Sequence, residues 1–142
     1  STMSESQMPA AADPLVSTGN VQPLLCEVHY ALKRLLEGDE EYTIDLRRIP
    51  LSSADEDQLE KILGVGEITA ELDLMGPSRI WETRYSGVWQ VAHFNALDEV
   101  TGKYLLVSRC PEILKSQIPD IECALVGLES LLAREGSIVN EA

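Results

Sequence analysis

Apolar side chains recur every three to four residues at Leu24, Leu25, Val28, Leu32, Leu35 and Leu36. This period predicts an amphipathic helix. Pro23 suits its first turn and Gly38 its end. After the acidic run Asp39, Glu40, Glu41, the stretch Tyr42 to Leu46 has the Tyr, Thr and Ile content of a short strand. Pro50 breaks the chain. Ser52 and Ser53 stand three residues ahead of Asp55 and Glu56, two overlapping capping-box candidates. They precede a short helix that would bury Leu59, Ile62 and Leu63, with Gly64 as its left-handed cap.

Beyond Gly66 the period changes from 3.6 to 2. Ile68, Ala70, Leu72 and Leu74 alternate with Thr69, Glu71 and Asp73, the pattern of a half-buried strand. Gly76-Pro77-Ser78 reads as a turn, Arg79 to Tyr85 as a second strand and Ser86-Gly87 as a tight connection. Val88 to Asn95 and Lys103 to Arg109 complete the series. Pro111 to Lys115 reads as one helical turn. Ile118, Ile121, Leu125, Leu128 and Leu132 then mark a last amphipathic helix, ended by Gly136. The predicted fold class is α+β: an antiparallel β-meander of about four to five strands packed against two or three amphipathic helices.

The expected organisation is one domain over residues 21–136. Residues 1–20 read as a disordered tail, too poor in periodic apolar residues to order itself. Ser1 and Thr2 ahead of Met3 read as a tag remnant. Residues 137–142 are expected to fray.

Composition narrows the partners. Of 142 residues, 24 are acidic and 11 basic, for a formal net charge of −13. Phosphate backbones and anionic membrane surfaces call for clustered Lys and Arg, so both are excluded. No run reaches the roughly 18–20 apolar residues of a spanning helix, and no secretory signal pattern opens the chain. Three widely spaced cysteines, Cys26, Cys110 and Cys123, argue for reduced thiols and a cytoplasmic location. The charge is uneven. Residues 76–117 carry five basic and four acidic groups, so the expected meander is near neutral while its surroundings are acidic. That contrast points to a protein partner for the meander.

Gly64-Val65-Gly66-Glu67 has the glycine spacing of a phosphate loop in the wrong context. It leaves a helix and enters a strand, where carbonyls rather than amides would face an anion, so it reads as a cap and turn. Cys26 and His29 are three apart on one helix and could share a face as metal ligands. Cys110 or Cys123 would have to join them, with His93 a more distant candidate. Core and boundary packing is the plainer account. Two histidines and no G-x-S-x-G elbow leave little for a hydrolase, although Glu67 or Glu82 in a pocket would suffice for a degenerate one. Glu82–Arg84 and Glu67–Arg84 ion pairs are the plainer role for those carboxylates. The segment from Ile80 to Trp89 holds both tryptophans. Trp81, Thr83 and Tyr85 share one face of its strand, and Ile80, Glu82 and Arg84 the other. One Trp is expected to be buried and the other partly exposed, since Trp, Tyr and Arg also favour interfaces.

The runs Ile44-Asp45-Leu46-Arg47-Arg48-Ile49-Pro50-Leu51, Leu63-Gly64-Val65-Gly66-Glu67-Ile68, Trp81-Glu82-Thr83 and Gly87-Val88-Trp89 resemble, in order and spacing, the conserved region of HupH/HyaF-type hydrogenase expression proteins. The resemblance spans roughly residues 24–133. It implies a non-enzymatic accessory role in maturation of uptake [NiFe]-hydrogenase in the bacterial cytoplasm, acting on the small iron–sulfur subunit or its assembly. It implies no catalytic residue and no cofactor. Longer members resemble two successive copies of this unit, so a homodimer that recreates the pair is expected. The expected partner is a hydrogenase subunit or precursor, or another maturation protein. Glu67, Trp81, Glu82, Arg84, Trp89 and His93 are the candidate partner-binding residues. The competing expectation is a small metal- or cluster-handling protein using Cys26 and His29 with Cys110 or Cys123.

Overall fold

The computed structural model describes residues 17–73 and 75–136. Most of the expected tail and the whole expected C-terminal fray lie outside the described residues. The chain divides into two compact units, one ending at Arg109 and one starting at Cys110. The first holds helix α1 (Val21–Gly38), strand β1 (Tyr42–Asp45), a 3-10 turn (Leu46–Arg48), helix α2 (Ser53–Leu63) and strands β2 (Thr69–Asp73), β3 (Pro77–Glu82), β4 (Val88–Phe94) and β5 (Val100–Val107). The second holds a 3-10 turn (Glu112–Leu114) and helix α3 (Ile118–Glu135). Among the described residues, no helix is long and apolar enough to cross a membrane.

The strands form one antiparallel sheet in the order β1-β5-β4-β3-β2. The consecutive strands β2 to β5 are the expected meander, and β1 adds to its β5 edge. The α+β expectation therefore holds, with five strands and three helices.

Element ends follow local chemistry. Ser52 wins the capping contest over Ser53: its Oγ accepts from Asp55 N–H at 3.1 Å, and the Asp55 carboxylate accepts from Ser52 N–H at 2.9 Å. Gly38 ends α1 as expected, as its last helical residue. Asp39 after it takes the left-handed conformation (φ 55°, ψ 33°), one of the few non-glycine types that tolerates it. Strand β3 stops at Glu82, short of the expected Tyr85, because turn bonding begins at once. Thr83 Oγ1 accepts from Tyr85 N–H at 3.2 Å, and Glu82 accepts from Gly87 N–H at 3.0 Å. Strand β5 begins at Val100, three residues earlier than expected. Asn95 Oδ1 accepts from both Leu97 and Glu99 N–H and closes the β4–β5 turn early.

Residues 17–20, inside the span read as tail, are tied down. Thr18 donates its N–H and its hydroxyl to the Asp55 carboxylate, the hydroxyl at 2.6 Å. Asn20 donates its side-chain amide to the Pro50 carbonyl at 2.7 Å. Asp55 itself is fully buried. Burial alone would raise its pKa. The hydrogen bonds from Thr18, Ser52 and Ser17 outweigh that and hold the carboxyl at about 2, against an ordinary 3.8.

One main core joins the helices to one face of the sheet. Leu24, Val28, Ala31 and Leu35 of α1 and Leu59 and Leu63 of α2 meet Ile44, Val88, Leu105 and Val107. Paired residues of an antiparallel sheet share a face. The register therefore puts Trp81, Gln90 and Leu105 in one row across β3, β4 and β5 on this helix-bearing face. The opposite face carries Ser78, Ile80 and Glu82 with Trp89, Val91 and His93.

Candidate functional site

The helix-bearing face is only half covered. Strands β1, β4 and β5 supply its core residues, whereas none comes from β2 or β3. Over β2 and β3 the same face shows Trp81, half-buried, with Arg79 stacked over its indole at 5.6 Å from the ring centroid. Arg79 also pairs with Glu71 at 3.8 Å. The pairing follows from register, because Glu71 lies directly opposite Arg79.

At the border between the covered and open halves lies a cavity of about 240 Å³. Leu46, Ile49, Leu51 and Leu59 give it apolar walls, and Gln90 of the central strand lines it from the sheet. Glu56 and Glu60 of α2 also line it, as do Arg47 and Lys103. The Gln90 residue is only 4% exposed, yet its amide makes no hydrogen bond to a described residue. Among the described residues, no fully buried side-chain nitrogen or oxygen lacks a partner. The amide must therefore keep its contact with solvent through the cavity. Arg47 is engaged, donating to the Val100 carbonyl at 3.1 Å.

A family model, the HupH hydrogenase expression protein C-terminal conserved region, matches residues 18–134. The chain belongs to this family. Its sequence is 30% identical over 94 residues to the hydrogenase expression/formation protein HupH of Rhizobium leguminosarum bv. viciae, covering 66% of this chain and 33% of that protein. It is 32% identical over 111 residues to HoxQ of Azotobacter vinelandii, a hydrogenase expression/formation protein, covering 77% of this chain and 38% of that protein. The chain thus spans about a third of the length of these curated relatives. The solved structure of the hydrogenase expression protein HupH from Thiobacillus denitrificans ATCC 25259 superposes with a TM-score of 0.80 at 38% identity, covering 84% of this chain and 99% of that one.

The Gly64-Val65-Gly66 run has a packing role. A Cβ on Gly66 would lie 2.6 Å from the Thr83 carbonyl, and one on Gly64, whose φ is 64°, would lie 2.7 Å from the Arg84 guanidinium. Gly66 N–H also donates to the Glu82 carbonyl at 2.7 Å. The loop thereby closes against the end of β3 rather than around an anion.

The six predicted partner-binding residues lie in three places. Trp81 is on the open half of the helix-bearing face. Glu82, Trp89 and His93 are on the opposite face. Trp89 is 3% exposed and donates its indole N–H to the Ser108 carbonyl at 2.9 Å, so it is the buried member of the expected Trp pair. His93 Nδ1 meets Ser78 Oγ at 2.7 Å, with Tyr104 edge-on to its ring. Ser78 is 2% exposed, which makes this bond a clasp between strands rather than an exposed nucleophile. Glu67 and Arg84 are exposed beside the glycine loop. The expected Glu82–Arg84 pair is replaced by the Glu82 bond to Gly87 N–H.

Cys26 and His29 sit one turn apart on the exposed side of α1, and Cys110 and Cys123 belong to the second unit. Among the described residues, no group of three His, Cys, Asp or Glu side chains is placed to hold a metal ion.

Sequence reasoning named Glu56 only as a capping-box candidate and did not single out Gln90 or Lys103. Gln90 carries a signal: it is the polar interruption of the apolar run Val88-Trp89-Gln90-Val91-Ala92 on what proves to be a central strand.

Proposed function

We propose that this chain is a non-catalytic accessory protein of hydrogenase maturation. It binds a hydrogenase subunit or its precursor, with the small iron–sulfur subunit as first choice, through the open half of its helix-bearing sheet face. The match to the HupH conserved region over residues 18–134 carries the maturation role. The placement of the surface is supported by Trp81 under Arg79. A half-buried aromatic with a stacked guanidinium is the composition of an interface anchor. The acidic surroundings discourage indiscriminate association and steer basic surfaces toward it.

The test is affinity capture from a hydrogenase-producing bacterium, with the retained proteins identified by mass spectrometry. The wild-type chain is expected to retain a hydrogenase subunit or precursor. Trp81→Ala is expected to retain about tenfold less, the loss typical of an anchor residue. Capture of no hydrogenase component would defeat the proposal. Equal capture by Trp81→Ala would move the surface elsewhere.

A further inference from the structure

We infer that the cavity beside α2 receives one apolar side chain of an extended peptide. The peptide's main-chain amide pairs with Gln90, and a neighbouring basic residue meets Glu56 and Glu60. This deepens the proposed partner-binding role and rests on it for the identity of the partner.

The Gln90 amide is the first ground. It sits in a central strand at 4% exposure, without a hydrogen bond to a described residue, and opens into the cavity. A primary amide offers a C=O acceptor beside an N–H donor. A peptide unit of an extended chain presents the matching pair. A ligand that takes the amide's solvent contact away must replace it with hydrogen bonds of its own, which makes the site selective.

Size is the second. The volume of about 240 Å³ falls below the roughly 300–1,000 Å³ of small-molecule sites. It corresponds to about eight waters at their liquid density, room for one large side chain. The four Leu and Ile walls make that side chain apolar.

Charge is the third. Glu56 and Glu60 have no ion pair with a described residue, while the neighbouring Arg47 already donates to Val100. Lys103, on the sheet side, remains to donate to a peptide carbonyl. With a net charge of −13 on the whole chain, the field at the α2 rim favours a basic ligand residue.

Continuity is the last. Trp81 is the direct cross-strand partner of Gln90. A chain leaving the cavity therefore runs over the Trp81–Arg79 surface.

The probe is a fluorescent, end-capped Gly-Leu-Gly-Arg-Gly peptide, compared with its Arg-to-Glu counterpart and with free leucine. Binding of the first is expected to shift the Gln90 side-chain amide pair in a nitrogen–proton correlation spectrum. Gln90→Leu is expected to bind about tenfold more weakly without a fall in melting temperature. Glu56→Gln is expected to keep binding but to lose most of the preference for Arg over Glu, and it serves as the second variant if Gln90→Leu does not fold. Undiminished binding by Gln90→Leu, shifts confined to other residues, or free leucine binding as well as the peptide would each overturn the inference. The capture experiment separates the two readings. If wild type and Gln90→Leu retain a hydrogenase subunit equally, the cavity is irrelevant and the maturation role stands. If the peptide binds at Gln90 but no subunit is captured, the cavity stands and the maturation role fails.

Discussion

The two halves of the helix-bearing sheet face differ in what the helices leave behind. Over β1, β5 and the start of β4, the side chains Ile44, Leu105, Val107 and Val88 are closed off by α1 and α2. Over β3 and β2, the same face offers Trp81, Arg79 and Glu71. The first half is apolar and serves stability. The second keeps a half-buried aromatic in a setting of charges. Gln90 and the cavity mark the seam between them. A sheet face that was only a packing surface would have been covered or made wholly polar.

Substitutions can break that comparison. The largest effect is expected in the covered half. Leu105→Ala, at a fully buried position, should cost about 2–5 kcal/mol, measured by urea unfolding. A cost below about 1 kcal/mol would mean that this half is not the core. Next is Gly66→Ala, where the new Cβ meets a backbone carbonyl at 2.6 Å. A loss of about 1–3 kcal/mol is expected from overpacking, and unchanged stability would show that the loop is free to move. In the open half, Trp81→Ala should cost clearly less than Leu105→Ala in the same unfolding assay. Similar losses at the two sites would erase the distinction. At the seam, Gln90→Leu should leave the melting temperature unchanged or slightly raised, because it exchanges an unpaired amide for an apolar group of similar size.

Acid offers an independent handle on the covered half. Asp55 is held at about 2 in the folded chain against 3.8 when unperturbed. A lowered folded-state value gives a stabilisation that is fully present above pH 3.8 and lost as the pH falls through about 2. Asp55→Asn should therefore lower stability at neutral pH and flatten the pH dependence between those values. An unchanged slope of melting temperature against pH would remove Asp55 from that role.

The element order was legible because its signals are local. The 3.6 and 2.0 periods, the Ser52–Asp55 capping box and the Gly87 turn all act within a few residues. The ends of β3 and β5 were misplaced where side chains of Glu82, Thr83 and Asn95 capture backbone amides and start a turn early. Asp39 was missed as the left-handed residue after α1 because Gly38, one position earlier, is the stronger signal. The candidate site was read less well. Alternation put Trp81 and Glu82 on opposite faces of one strand. It carried no information on which face the helices would cover, or on how Trp89 and His93 stand to either.

From the sequence alone came an antiparallel meander of about four to five strands with two or three helices, the acidic composition with a near-neutral meander, and the family. These rest on short-range periodicity, composition and residue runs. The tertiary structure decided which half of the sheet face stays open, that Trp89 is spent on Ser108 while Trp81 is not, and that the Gln90 amide lines a cavity without a hydrogen bond to a described residue. Each of these depends on strand register and on where α2 comes to rest, and both are set by contacts between residues far apart in the chain.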